Sequence, residues 1–178
     1  HDACETLLDG GVFHHCWNGI KNVNRSGYSI TRNVLIYACR VEGFGTALWD
    51  ATARHEVRNL VLVDNPVGLM GRYVSADQLL CIGGEGGSGT AIRARGPFML
   101  KHATVLGHET ALDIDRTGGG VELANSLFAV SGAAWDLPPA GDRNLRFSRV
   151  WYPGDGTVAG EPLTTWMTEA EEHGTAAA

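Results

Sequence analysis

GSGTAIRA (Gly87–Ala94) and GHETALDI (Gly107–Ile114) follow one template: a glycine, two turn residues, then Thr-Ala and an alternating run. GFGTALWD (Gly43–Asp50) matches it too. Taken alone, His108, Glu109, Asp113 and Asp115 suggest a metal site or an acid/base pair. As one copy of a repeat they become a turn and the outer face of a strand, so the architecture has to be read first.

A second series accompanies the first. A small or polar residue precedes a short apolar run six times: Gly10 before GVFHHC, Asn33 before VLIYAC, Asn59 before LVLV, His102 before ATVL, Asn125 before SLFAV, and Ser148 before RVWY. The step is roughly 23 residues, and the one double-length gap is filled by the glycine-rich LLCIGGEGG (79–87). Each unit reads as a strand of about five residues, a turn rich in Gly, Asn or Asp, and a second short strand such as GLMGRYV, TAIRAR or TALDID. Units this short cannot bury their apolar faces alone; stacking about seven of them creates one continuous core.

The period, the Asn-plus-apolar strand starts and the Gly-x-Gly-Thr-Ala turns resemble the right-handed parallel β-helix, or pectate-lyase-like, family over roughly residues 5–155. The resemblance implies an all-β, right-handed parallel β-helix of about seven coils over residues 1–155. It also implies a secreted protein acting on an extracellular polysaccharide, as a lyase or glycoside hydrolase if it is an enzyme, and an extracellular or cell-surface location. None of that family's catalytic sets is found: neither Asn-Thr-Asp, Gly-His-Gly and Arg-Ile-Lys of the polygalacturonase-like hydrolases nor Arg-x-Pro-x-x-Arg of the pectate lyases. Catalytic roles are therefore not carried over.

Residues 156–178 form a separate capping segment. Within EPLTTWMTEAEEHG, Leu163, Trp166, Met167 and Ala170 have the spacing of an amphipathic helix. Laid over the open end of the coils, such a helix would cover unpaired strand edges. The segment is similar to the Leu-x-x-Trp helix of many secreted bacterial β-helix proteins. At the other end strand-like sequence starts almost at His1, which suggests a piece of a longer β-helix or a chain that stacks end to end.

Composition narrows the partners. The 178 residues include 24 glycines and carry a net charge of -6 with no run of Lys or Arg, which argues against a nucleic-acid surface. No apolar run approaches the roughly 18 to 20 residues that span a bilayer. Cys4, Cys16, Cys39 and Cys81 lack paired C-x-x-C spacing, so neither a metal nor any other cofactor is expected. Cys16 and Cys39 fall at equivalent places on neighbouring coils, about 4.8 Å apart. Either a disulfide or a ladder of reduced, buried thiols fits that separation.

Aligned on the template, Leu48, Leu69, Ile92 and Leu112 face the core in one row. Trp49, Arg93 and Asp113 then face outward, with Arg95 and Asp115 two positions on and Met70 and Arg72 on the coil between. One reading is a charge ladder pairing Arg93 with Asp113 and Arg95 with Asp115. The other is a groove for an anionic polysaccharide: Trp49 as a stacking platform, Arg72, Arg93 and Arg95 as guanidinium forks, and Asp113 or Asp115 as acid or base. His108 is the candidate general base in the adjoining turn; turn filling is its alternative. His102 stands where other coils have Asn and reads as a ladder residue. A non-catalytic structural or adhesion solenoid is the competing function.

Overall fold

The computed structural model describes residues 4–22, 27–46, 54–114, 120–130, 135–136, 145–151, 157–158 and 161–162. Long and short strands alternate along the chain. They are β1 (Cys4–His14), β2 (Asn18–Asn22), β3 (Gly27–Tyr37), β4 (Glu42–Thr46), β5 (Arg54–Val63), β6 (Val67–Gly71), β7 (Val74–Ile82), β8 (Thr90–Ala94), β9 (Phe98–Leu106), β10 (Thr110–Ile114), β11 (Val121–Ala129), β12 (Trp135–Asp136) and β13 (Leu145–Trp151). A minor antiparallel pair, β14 (Thr157–Val158) and β15 (Glu161–Pro162), follows.

The odd-numbered strands from β1 to β13 form one seven-stranded parallel sheet, and the even-numbered strands from β2 to β12 form a six-stranded parallel sheet. The fold is an all-β parallel solenoid, a β-helix of about five turns. The sequence reading expected about seven coils. Among the described residues there is no helix, and none long and apolar enough to cross a membrane. The expected capping helix, with Leu163, Trp166, Met167 and Ala170, lies outside the described residues.

Each long strand is bent by one residue with a left-handed backbone. Gly10, Asn33, Asn59, Gln78, His102, Asn125 and Arg149 all have positive φ, and all seven occupy the same place in the sheet. Asn is the side chain that best tolerates this conformation. The row also supplies its own hydrogen bonds: Asn33 Nδ2 donates to Asp9 Oδ1 at 2.7 Å, and Asn59 Nδ2 donates to Asn33 Oδ1 at 2.9 Å. His102 belongs to this row, with Nδ1 2.8 Å from Asp77 Oδ1 and Nε2 3.3 Å from Asn125 Nδ2. Two details differ from the sequence reading: Gln78 fills the double-length gap, and the last member is Arg149, one residue beyond Ser148.

The bend resets the side-chain alternation. In β5, Val57 points inward before the bend, while Leu60 and Leu62 point inward after it. The core therefore stacks Val34, Leu60, Leu79 and Ala103 in one row and Ile36, Leu62, Cys81, Val105 and Phe128 in the next. The intervening outward positions, such as Leu35, Val61 and Leu80, are apolar as well and half-buried.

The short strands supply the opposite wall. Ile20, Phe44, Leu69, Ile92 and Leu112 are register partners along that sheet. Leu48 was expected in this row; its place is taken by Phe44, and Leu48 lies outside the described residues. GFGTA imitates the template, but β4 pairs through Glu42–Thr46, four residues earlier than the motif alignment implies. Preceding each inward residue is a small one: Gly19, Gly43, Gly68, Ala91 or Ala111. A Cβ on Gly68 would sit 2.5 Å from Cys81 Sγ and 2.6 Å from the Ala91 carbonyl oxygen, so the two sheets approach closely here.

Candidate functional site

The outward row of the short sheet is formed by Lys21, Gly45, Met70, Arg93 and Asp113. Gly45 stands where Trp49 was expected, as the four-residue shift of β4 requires; Trp49 lies outside the described residues. Arg93 Nε donates to Asp113 Oδ2 at 2.6 Å, Arg93 Nη2 donates to Thr90 Oγ1 at 3.4 Å, and Arg95 Nη2 donates to Asp113 Oδ2 at 3.4 Å. Asp113 thus gathers both arginines, and Asp115, the expected partner of Arg95, lies outside the described residues. Arg72 Nε donates to the carbonyl oxygen of Arg95 at 3.2 Å. The structure brings Arg72, Arg93, Arg95 and Asp113 together, as a network that satisfies itself.

His108 is placed inside. It follows Gly107, a left-handed corner residue, and occupies the inward position that Cys39 takes after Ala38 and Asn65 after Asp64. Its exposure is 0%, and Nε2 lies 3.2 Å from Cys81 Sγ. Burial holds the imidazole below its usual pKa and pushes the Cys81 thiol up to about 12. A neutral imidazole walled in by the core cannot reach a sugar on the outer face. Cys16 and Cys39 are free thiols, each with its Sγ near the carbonyl oxygen two residues back, at 3.3 Å from His14 and 3.9 Å from Tyr37. Among the described residues no group of three His, Cys, Asp or Glu is placed to hold a metal ion.

A concavity lies on the other sheet, at the starts of the long strands. A groove of about 460 Å³ runs across β3, β5, β7, β9 and β11. Buried Val74, Phe98 and Val121 line it, with Pro97 and Met99 beside them, and Tyr28 and Tyr73 fall in one register row along it. Its polar groups are Arg54, Glu56, Ser75 and Glu122. Tyr28 donates its hydroxyl proton to Glu56 Oε2, and Arg58 pairs with the other oxygen. Behind this wall, Asn22 Nδ2 donates to Ser29 Oγ at 2.7 Å, and Ser29 Oγ lies 2.8 Å from His55 Nδ1, a buried chain that fixes the corner. Burial also holds His55 below its usual pKa.

Sequence reasoning missed this groove. Its residues belong to the start of each long strand, ahead of the apolar runs that marked the repeat, and its two tyrosines come from different coils with no shared motif. Available signals were only GYSI at Gly27 and RYVS at Arg72, which place one tyrosine at the start of a strand and the other just ahead of one. In comparisons with known proteins, no family model matches the chain, and no curated protein or solved structure matches it either.

Proposed function

We propose that this β-helix binds a polysaccharide, lying across its coils in the groove lined by Tyr28 and Tyr73. The observation carrying this reading is the shape of that groove, which crosses five successive coils and so runs roughly 19 Å at about 4.8 Å per strand. An apolar lining with two tyrosines along it and a few polar groups suits the CH faces and hydroxyls of an extended glycan. A neutral chain fits best: the charges of the groove are mixed, Arg54 with Glu56 and Glu122, and Arg93 and Arg95 are already engaged by Asp113.

Binding suits the groove better than hydrolysis. Glu56 and Glu122 are three strand spacings apart in the register, roughly 14 Å, well beyond the 5 to 9.5 Å that separate paired glycosidase carboxylates. The pectate-lyase-like kinship and the extracellular or cell-surface setting belong to the same proposal and rest on the sequence resemblance. Affinity electrophoresis against neutral and uronate-containing polysaccharides tests it. A neutral glycan should retard the chain, Tyr73→Ala should weaken retention about five- to tenfold, and Arg93→Ala/Arg95→Ala should not change it. No retardation by any glycan, or equal retardation of Tyr73→Ala, refutes the assignment.

A further inference from the structure

His14 and His15 bring their rings together at the end of β1, with Nδ1 of one 3.0 Å from Nδ1 of the other. Consecutive residues of a strand point to opposite sides, so a His-His pair is ordinarily no chelate. Here the alternation is broken. His15 has a left-handed backbone, with φ of 53°, at the corner position that Ala38 and Asp64 hold on the next two coils. Its N–H donates to the Tyr37 carbonyl oxygen at 3.2 Å, as that of Ala38 does to Val63 and that of Asp64 to Ile82. The corner that joins the two rings is therefore part of the coil stack. The rings are held as well: His14 stacks on Tyr37, with centroids 5.0 Å apart and planes within 10°, and His15 meets both edge-on, 5.2 Å from His14 and 5.8 Å from Tyr37. Both histidines are exposed.

In the neutral pair one Nδ1–H donates to the other Nδ1. Moving that proton to Nε2, which water can solvate on an exposed ring, frees the lone pairs of both Nδ1 atoms. Two imidazole nitrogens bound at roughly 2.0 to 2.1 Å to one metal ion stand about 2.9 Å apart at a square corner and about 3.3 Å apart in a tetrahedron. The 3.0 Å separation lies inside that window. We propose that His14 and His15 chelate a late first-row divalent metal ion, copper(II), nickel(II) or zinc(II), through their two Nδ1 atoms. Among the described residues no third His, Cys, Asp or Glu is placed to join them, and the Cys16 thiol is engaged with the His14 carbonyl oxygen at 3.3 Å. Water therefore completes the coordination, and the ion is exchangeable rather than structural. Tyr28 opens β3 at the groove and Tyr37 closes it beside this pair, so the metal site is separate from the glycan reading.

Calorimetric titration of the full chain with zinc(II) and with nickel(II), alongside proton–nitrogen NMR spectra of the imidazole rings in zinc(II), tests this. The expected result is one ion per chain, with zinc shifting Nδ1 of His14 and His15 rather than Nε2. His14→Ala and His15→Asn should each weaken binding at least about tenfold. Asn is chosen at position 15 because it tolerates the left-handed backbone, so the corner stays folded by circular dichroism while the ring is lost. His102→Asn removes another exposed histidine, one bonded to Asp77, and should leave the affinity unchanged. Absence of binding at millimolar metal refutes the proposal. So does coordination through Nε2, binding indifferent to His14→Ala and His15→Asn, or an equal loss in His102→Asn.

Discussion

Replacing Asn65 by Ala should be among the most damaging single changes outside the apolar core. Asn65 is 3% exposed and inward-facing, one residue past a left-handed corner. Its Oδ1 accepts the Cys39 N–H at 3.1 Å, and its Nδ2 donates to the Ile36 carbonyl oxygen at 3.2 Å. Both partners are backbone groups of the preceding coil: the Cys39 N–H lies in the turn after β3, where no strand partner replaces the lost bond, and the Ile36 carbonyl belongs to β3 itself. An unsatisfied buried backbone N–H costs about 1 to 3 kcal/mol, so losing the bond to Cys39 should cost about that much, and the lost bond to Ile36 adds to it. Urea unfolding measures the total, and native-state hydrogen exchange locates it: the Cys39 amide should lose protection, about tenfold for each 1.4 kcal/mol. Asn65→Asp, which keeps the acceptor, should preserve more of the Cys39 protection than Asn65→Ala. A loss below about 1 kcal/mol with unchanged Cys39 exchange would show that water satisfies these groups and that the argument is wrong.

Acid should weaken the fold through His55 and His108, both held below their usual 6.5 by burial. The unfolded chain takes up protons below about pH 6.5 while these imidazoles stay neutral when folded; their contribution is full above that pH and falls as pH drops through the depressed folded values. Urea midpoints at about pH 8 and pH 5 should show a smaller acid loss in His55→Gln than in the unaltered chain, and equal losses count against it. Gly68→Ala should cost about 1 to 3 kcal/mol, because its Cβ meets the Ala91 carbonyl as well as a side chain; a midpoint equal to that of the unaltered chain contradicts the close approach. Arg93→Ala should cost no more than about 1 kcal/mol, since the pair is partly exposed and Arg95 remains beside Asp113. In native conditions alkylation should reach Cys16 well before Cys81, whose thiol is enclosed and pushed up to about 12, and mass spectrometry of timed digests would expose the reverse order.

The parallel solenoid was legible in the sequence because the strand starts repeat, and they repeat because each coil needs a residue that accepts a left-handed backbone. Asn33, Asn59 and Asn125 advertise that need; Gln78 and Arg149 meet it without advertising it, so the bend of one coil was missed and that of another was displaced by a residue. The Thr-Ala template located β8 and β10, with Arg93, Arg95 and Asp113 beside them, and misled at β4, where GFGTALWD copies the letters but Phe44 fills the core position. The arginine–aspartate row was found because strand alternation is local information. The groove at Tyr28 and Tyr73 depends on how strand starts from separate coils align, and that alignment is set by packing. The inward placement of His108 was hidden for a related reason: the corner residue before it shifts the alternation.

The row of left-handed residues also divides the chain into stretches that must keep their length and stretches that need not. Successive members are unevenly spaced, closest from Asn59 to Gln78 and farthest from Asn33 to Asn59, yet all fall in register. The variation falls between strands rather than within them: two residues link β6 to β7, and seven separate β4 from β5 in the sequence. An extra residue there would lengthen a loop and leave both ladders intact. One added between Asn59 and Val63 would turn Leu60 and Leu62 toward solvent and their outward neighbours into the core. Insertions between strands are therefore compatible with the stack, and insertions inside a long strand are not.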